Sequence, residues 1–336
     1  MGIFSSSKNK QARQQLQMLY SAAGSDAKVE ALLQQQPDSL SIIVEHLTSS
    51  SSDVQQQAAK VLEKFARDAP MCALQIVQSP GAVAGLVAQL QGGTSAVQRE
   101  AAVTLGQLAA HCADSRMRIG QAPGALTGLV DLLRCSDAAA QHEAAYALST
   151  LALKTPANQD RIVEADALPL LAQRLSSEVA DVQFAAAFAL SSLAEGSQAI
   201  SDRIGRDSAA LRRLARLLGS SGQVVTAAAL ALQNLAQGSP ANRQRITNAP
   251  GAVSGLTALL DSEDTCHQRL AAETLEHLYM TDQPDGSPED MATAALAALT
   301  TGKLELPSVH YHVQIVGFRK KSCHMESTDC KVFCSQ

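Results

Sequence analysis

The chain has 336 residues, 46% of them apolar but only 3% aromatic, with no Trp and a formal net charge of −5. That charge rules out the broad basic excess on which general nucleic-acid binding depends, and an apolar fraction rich in Ala and Leu points to helices rather than sheets. Seven cysteines, odd in number and mostly single within helical patterns, fit a reducing compartment in which thiols serve as small hydrophobes, not a disulfide framework.

The start, MGIFSSSKNKQAR, holds no apolar segment of the signal-peptide kind. Gly2 follows the initiator Met and Ser6 stands four residues later, the spacing of an N-myristoylation signal. Lys8, Lys10 and Arg13 follow, with no acid before Asp26. A myristoyl chain alone binds membranes with a constant of about 10^4 M⁻¹. Three basic residues at ~1 kcal/mol each would raise that roughly a hundredfold, enough for reversible anchoring. The first Cys is Cys72, too distant for a second acyl chain. The competing reading is an unmodified start with a solubilising basic patch. Residues 1–7 are expected to be flexible, and residues 8–38 to form a helical cap, with two polar helices between Lys8 and Gln36.

A repeat follows. PGAVAGLVAQL begins at Pro80, PGALTGLVDLL at Pro123, DALPLLAQRL at Asp166, SAALRRLARLL at Ser208 and PGAVSGLTALL at Pro250, in steps of 43, 43, 42 and 42 residues. A diverged copy, SLSIIVEHL, begins at Ser39, 41 residues before Pro80. Each copy reads as a short apolar helix, a link of small residues such as Gly219-Ser220-Ser221-Gly222, and a longer helix such as VQREAAVTLGQLAA or AQHEAAYALSTLAL. A further short helix comes next, with Asn158, Ser201 and Asn242 as candidate N-caps. Paired Ala residues in the long helix allow close helix approach, and Gly or Pro-Gly between units supplies a sharp turn. Ser287-Pro288-Glu289-Asp290 is a strong helix start, and a closing helix through Met291–Leu299 is expected.

A three-helix unit of about 42 residues has the armadillo period, and segments such as NRQRITNAPGAVSGLTALL and AAALALQNLA resemble the armadillo family in wording. The resemblance spans roughly three-quarters of the chain. HEAT repeats are the nearest competitor, and the short helix after a Pro-Gly turn argues against them. The expected fold is therefore all-α: an armadillo-type right-handed α-solenoid of about six three-helix repeats with helical caps, residues 39–301.

The resemblance implies that the long third helices line a groove for extended peptides. In the nuclear-import branch these helices present Trp and, four residues on, Asn. The matching pairs here are Lys60/Lys64, Val103/Gln107, Tyr146/Thr150, Phe188/Ser192, Leu230/Asn234 and Glu273/His277. None has Trp and one has Asn, so a receptor for basic nuclear-import signals is not expected. Spacing of i,i+4 puts both members of a pair on one helix face. Tyr146, Thr150, Phe188, Ser192, Leu230 and Asn234 are the candidate groove, suited to an amphipathic or mixed peptide. The structural alternative is that Tyr146 and Phe188 are spent on packing between repeats. Arg203, Arg206, Arg212, Arg213 and Arg216 form a second candidate, a patch for an acidic partner segment. Its alternative is a solvated outer face whose stems cover apolar surface.

Residues 302–336 change character. SVHYHVQIVGF alternates like a strand, but His310, His312, Cys323, His324, Cys330 and Cys334 match no standard zinc spacing. This segment reads as a divergent, disordered tail, with no metal site and no cofactor. No phosphate loop, nucleophile elbow or catalytic metal motif is present. The chain is thus expected to be a monomeric, non-enzymatic scaffold or adaptor for a partner protein or peptide. It is expected in the cytoplasm, peripheral on a membrane if Gly2 is acylated, with the nucleus left open. With that anchor it is similar in part to lipid-anchored armadillo adaptors, which carry more repeats and an acylated Cys cluster. The alternative is a regulatory subunit of a ubiquitin-ligase or chaperone system, acting through the convex face.

Overall fold

The computed structural model describes residues 2–279, with side chains from Lys8 onward. The expected closing helix at 291–299, the 302–336 tail and its Cys and His residues lie outside the described residues. Every regular element among the described residues is a helix. One leading helix, α1 (Gly2–Ala22), precedes six triplets. Repeat 1 is α2 (Asp26–Gln35), α3 (Ser39–Leu47) and α4 (Ser52–Asp68). Repeat 2 is α5 (Pro70–Gln78), α6 (Ala82–Gly92) and α7 (Ser95–Ala110). Repeat 3 is α8 (Ala113–Gln121), α9 (Ala125–Leu132) and α10 (Ala138–Ala152). Repeat 4 is α11 (Pro156–Glu164), α12 (Ala167–Arg174) and α13 (Ala180–Ala194). Repeat 5 is α14 (Gln198–Gly205), α15 (Ser208–Leu217) and α16 (Gln223–Ala236). Repeat 6 is α17 (Pro240–Thr247), α18 (Ala252–Leu259) and α19 (Thr265–Tyr279).

Contacts divide the chain into two compact units, Met1–Leu193 and Ala194–Gln336. In the first, helices of the same rank stack: α2, α5, α8 and α11; α3, α6 and α9; α4, α7 and α10. The second repeats the rule, with α14 on α17, α15 on α18 and α16 on α19. A single triplet cannot bury its own apolar face, and stacking supplies the missing partner.

The start of the chain differs from expectation. The first helix begins at Gly2 rather than near Lys8, since no Gly or Pro interrupts residues 3–22. It packs on α4 as one third helix packs on the next. Ala12, Leu16, Leu19 and Ala23 are its buried stripe, spaced as one helical face. The second helix of the expected cap, α2, is the first helix of repeat 1. Ser25 caps it by accepting from the Lys28 N–H.

Inside the long helices the paired alanines are buried as expected: Ala58 and Ala59, Ala101 and Ala102, Ala144 and Ala145, Ala228 and Ala229 are each 0% exposed. Gly106 also faces α10, where Ala147 lies 3.4 Å from the position a Cβ would take. At the entry to the second helices Gly81, Gly124 and Gly251 all have φ of 84°, which favours glycine. Repeats 4 and 5 solve this corner otherwise. Asp166 adopts φ 62°, a region Asp tolerates better than most residues. Asp207 keeps a negative φ and caps α15 by accepting from the Ala209 and Ala210 N–H groups.

The three expected N-caps are displaced. Pro156 and Pro240 already stand in the first turns of α11 and α17, where a missing N–H costs nothing. Those helices therefore begin upstream of Asn158 and Asn242. Ser239 caps α17, and Ser197, not Ser201, caps α14. The two asparagines are freed for a different task. Asn158 Nδ2 donates to the carbonyls of Arg116 (2.8 Å) and Leu151 (2.9 Å), and Asn242 Nδ2 donates to the Ser201 carbonyl at 3.0 Å. Gln89 does the same between repeats 1 and 2, donating to the Leu47 carbonyl at 2.9 Å.

Candidate functional site

The third-helix row of the first unit starts in charge and ends in aromatic surface. On α4, Lys60 and Lys64 are half-buried, and the Lys64 ammonium lies 4.3 Å from the centre of the Tyr20 ring of α1, a cation–π contact. Glu63 beside them is buried, which pushes its carboxyl above the usual range, and Arg67 pairs with it at 2.6 Å. On α7, burial likewise raises Glu100. Val103 and Gln107 are half-buried between these charges and the next helix.

From α10 onward the row is aromatic. The rings of His142 and Tyr146 are 6.3 Å apart, those of Tyr146 and Phe188 6.5 Å, and those of Phe188 and Phe184 5.8 Å with 7° between planes. All four are half-buried. They form an offset stack across α10 and α13, in the distance range of favourable aromatic pairs. His142 Nδ1 is 3.3 Å from Glu143 Oε1, and that hydrogen bond holds the imidazole above its usual pKa. Phe184 and His142 were not among the sequence candidates. The signal was present, since each precedes a candidate by four residues on the same helix.

The polar members of the expected pairs lie deeper. Thr150 is 7% exposed and donates to the Ala147 carbonyl at 2.9 Å. Ser192 is 2% exposed, and its carbonyl accepts from Gln159 Nε2 at 3.0 Å. Neither side chain presents a free donor to the surface as a groove Asn would. The Thr150 hydroxyl folds back onto its own helix.

In the second unit Leu230 and Asn234 are half-buried on α16. Asn234 is hydrogen-bonded or otherwise paired, so it is not an idle amide. Beside it Gln233 Nε2 donates to Glu273 Oε2 of α19 at 2.7 Å, and Arg269 pairs with the same carboxylate at 3.2 Å. This pair of third helices is polar and crosslinked.

The arginine candidates stand elsewhere, on α14 and α15. Arg203, Arg206, Arg212 and Arg216 are exposed and Arg213 is half-buried. Leu211, Leu214, Leu217 and Leu218 on the opposite side of α15 are buried, so this helix has one apolar and one cationic face.

No group of three or more His, Cys, Asp or Glu among the described residues is arranged to hold a metal ion. No single helix there is long and apolar enough to cross a membrane.

Residues 155–195, which are repeat 4 with its N-cap Thr155, match the armadillo/beta-catenin-like repeat. No curated protein matches the chain significantly. Among solved structures, it is similar to an engineered protein at 34% identity with a TM-score of 0.68, covering 71% of this chain and 96% of that one. A second engineered protein matches at 31% identity and TM-score 0.76, over 92% of this chain and 72% of the other. A designed armadillo repeat protein, solved in complex with the peptide (KR)4, matches at 26% identity and TM-score 0.66, over 71% of this chain and 99% of that one. With helix triplets stacked rank on rank and these relatives, the chain belongs to the armadillo-repeat family.

Proposed function

We propose that this protein is a non-enzymatic scaffold that holds a partner polypeptide against its third helices. The partner is seated on Tyr146, Phe184 and Phe188 in the first unit. The observation that carries this reading is the aromatic stack. Phe is normally drawn further inside, yet Phe184 and Phe188 stay part-exposed beside Tyr146, in register along consecutive third helices. Rigid aromatics of this kind are what binding hot spots are made of. A designed relative in complex with (KR)4 supports a peptide as the form of partner. The composition of the stack favours a different peptide, with apolar side chains facing the rings. With Thr150 and Ser192 buried, ring contacts outweigh backbone clamping.

Peptides selected from a random library on the full chain would be measured by fluorescence anisotropy against point variants. Tyr146→Ala and Phe188→Ala are each expected to weaken such peptides at least about thirtyfold, the loss of a ~2 kcal/mol hot spot. Correctly folded variants that bind as the wild type does would remove the stack from the binding surface.

The proposal extends to the N-terminus: Gly2 is myristoylated, and with Lys8, Lys10 and Arg13 it places the otherwise cytoplasmic protein on a membrane. Intact-mass analysis and fractionation of wild type beside Gly2→Ala decide this part. A myristoyl mass and membrane pelleting in the wild type alone are expected, and an unmodified, soluble wild type rejects the anchor while leaving the groove reading intact.

A further inference from the structure

We propose that the arginine face of repeat 5 is a second docking surface, and that its occupant is an acidic polypeptide segment rich in Asp and Glu. Residues 203–260 hold seven arginines and no lysine, against the single acid Asp207, in a chain whose net charge is −5. That one acid is already engaged: Asp207 Oδ1 caps α15 by accepting from Ala209 N at 2.9 Å and Ala210 N at 3.1 Å. Asp202, just upstream, accepts from Ser239 Oγ at 2.6 Å and from Gln198 Nε2 at 3.1 Å. The Ser239 hydrogen bond, helped by the charges of Arg206 and Arg245, holds this carboxyl below its usual range. Arg203, Arg212 and Arg216 close no ion pair among the described residues.

The arrangement is regular. Arg212 and Arg216 are exposed one turn apart on α15, and Arg203 on α14 and Arg206 at its C-cap are exposed on the helix that packs against it. At about 1.5 Å of rise per residue, the backbone positions of Arg212 and Arg216 are about 6 Å apart along α15. Alternate residues of an extended chain are about 6.6 Å apart, so carboxylates at every second position match that pitch. A guanidinium receives a carboxylate through two parallel N–H donors, which an ammonium cannot do, and the absence of lysine from the face fits that role. The two other classes of anionic partner fit less well. The large exposed apolar side chains, Met18, Met71, Met117 and Val179, all lie outside this segment, so nothing here would insert into a bilayer. The segment also contains no aromatic residue on which a base would stack.

The test is fluorescence anisotropy of the full chain with a labelled octapeptide of alternating Glu and Ser, beside the matching Gln and Ser peptide. The Glu peptide is expected to bind and the Gln peptide not, with affinity falling as salt rises. The double variants Arg203→Gln with Arg206→Gln, and Arg212→Gln with Arg216→Gln, are each expected to weaken binding roughly tenfold. The corresponding Arg→Lys pairs, which keep the charge and the fold, are expected to lose part of the affinity, and they give a reading even where a Gln pair is unstable. Phe188→Ala is expected to bind the Glu peptide normally, which separates this surface from the aromatic one. Unchanged binding by folded Gln variants overturns the proposal. So does capture of phosphatidylserine vesicles or of a single-stranded oligonucleotide, through these arginines, in preference to the Glu peptide.

Discussion

Asn158 lies inside α11 with its side chain fully buried, and its amide ties two carbonyls of the preceding repeat. Gly120 is what makes room for it: a Cβ there would lie 2.0 Å from Asn158 Oδ1. The same pair recurs in the second unit, where a Cβ on Gly205 would lie 2.1 Å from Asn242 Oδ1. The asparagine cannot retreat without abandoning its carbonyls, so the space is not adjustable. Gly120→Ala and Gly205→Ala are each expected to cost about 1–3 kcal/mol by overpacking. Gly92→Ala, where nothing lies within 4 Å, is expected to be neutral or to add about 0.4–1 kcal/mol by restricting the unfolded chain. Urea midpoints of the three variants check this, and equal midpoints would show that the asparagine tie is soft. Sequence reading found Asn158 and Asn242 but gave them the wrong work. A polar residue near a helix start suggests a cap, and only the earlier Pro, together with the small residue facing the amide, reveals otherwise.

At the scale of an element, α1 shows how far position can override wording. Its sequence resembles no repeat, yet it stands ahead of α4 where a third helix would stand. Leu16, 0% exposed, is the centre of the contact, while Met18 two residues on is 72% exposed. Leu16→Ala is expected to destabilise the protein by about 2–5 kcal/mol, and Met18→Ala to leave it unchanged. Hydrogen exchange should then show α1 and α4 losing protection before α8–α10, because each repeat is held only by its neighbours. Uniform loss across the first unit would mean that it opens as one piece. The cap was legible as two polar helices, but its division was not, because α2 lacks the NRQRIT-like pattern of later first helices. The aromatic stack was half legible for a similar reason. Tyr146 and Phe188 occupy aligned positions in successive copies, whereas Phe184 and His142 have no counterpart in repeats 2 and 5, where Arg99 and Thr226 stand.

For the molecule as a whole, the period was plain because the Pro-Gly corner is restated three times with one backbone geometry, φ of 84° at Gly81, Gly124 and Gly251. Where Asp166 or Asp207 replaces that glycine, the register persists through the buried leucines and alanines of the following helices. The partner surfaces are less legible because no physical rule forces their residues to recur. The bonds from Asn158, Asn242 and Gln89 to main-chain carbonyls add one more consequence. A carbonyl is present whatever residue bears it, so beyond the small residue that faces each asparagine, Gly120 or Gly205, the joint asks little of the neighbour's side chains. Coupling and recognition are thereby written in separate alphabets, and the outward positions of any repeat are free to diverge toward a new partner while the seam holding it to the next stays as it was.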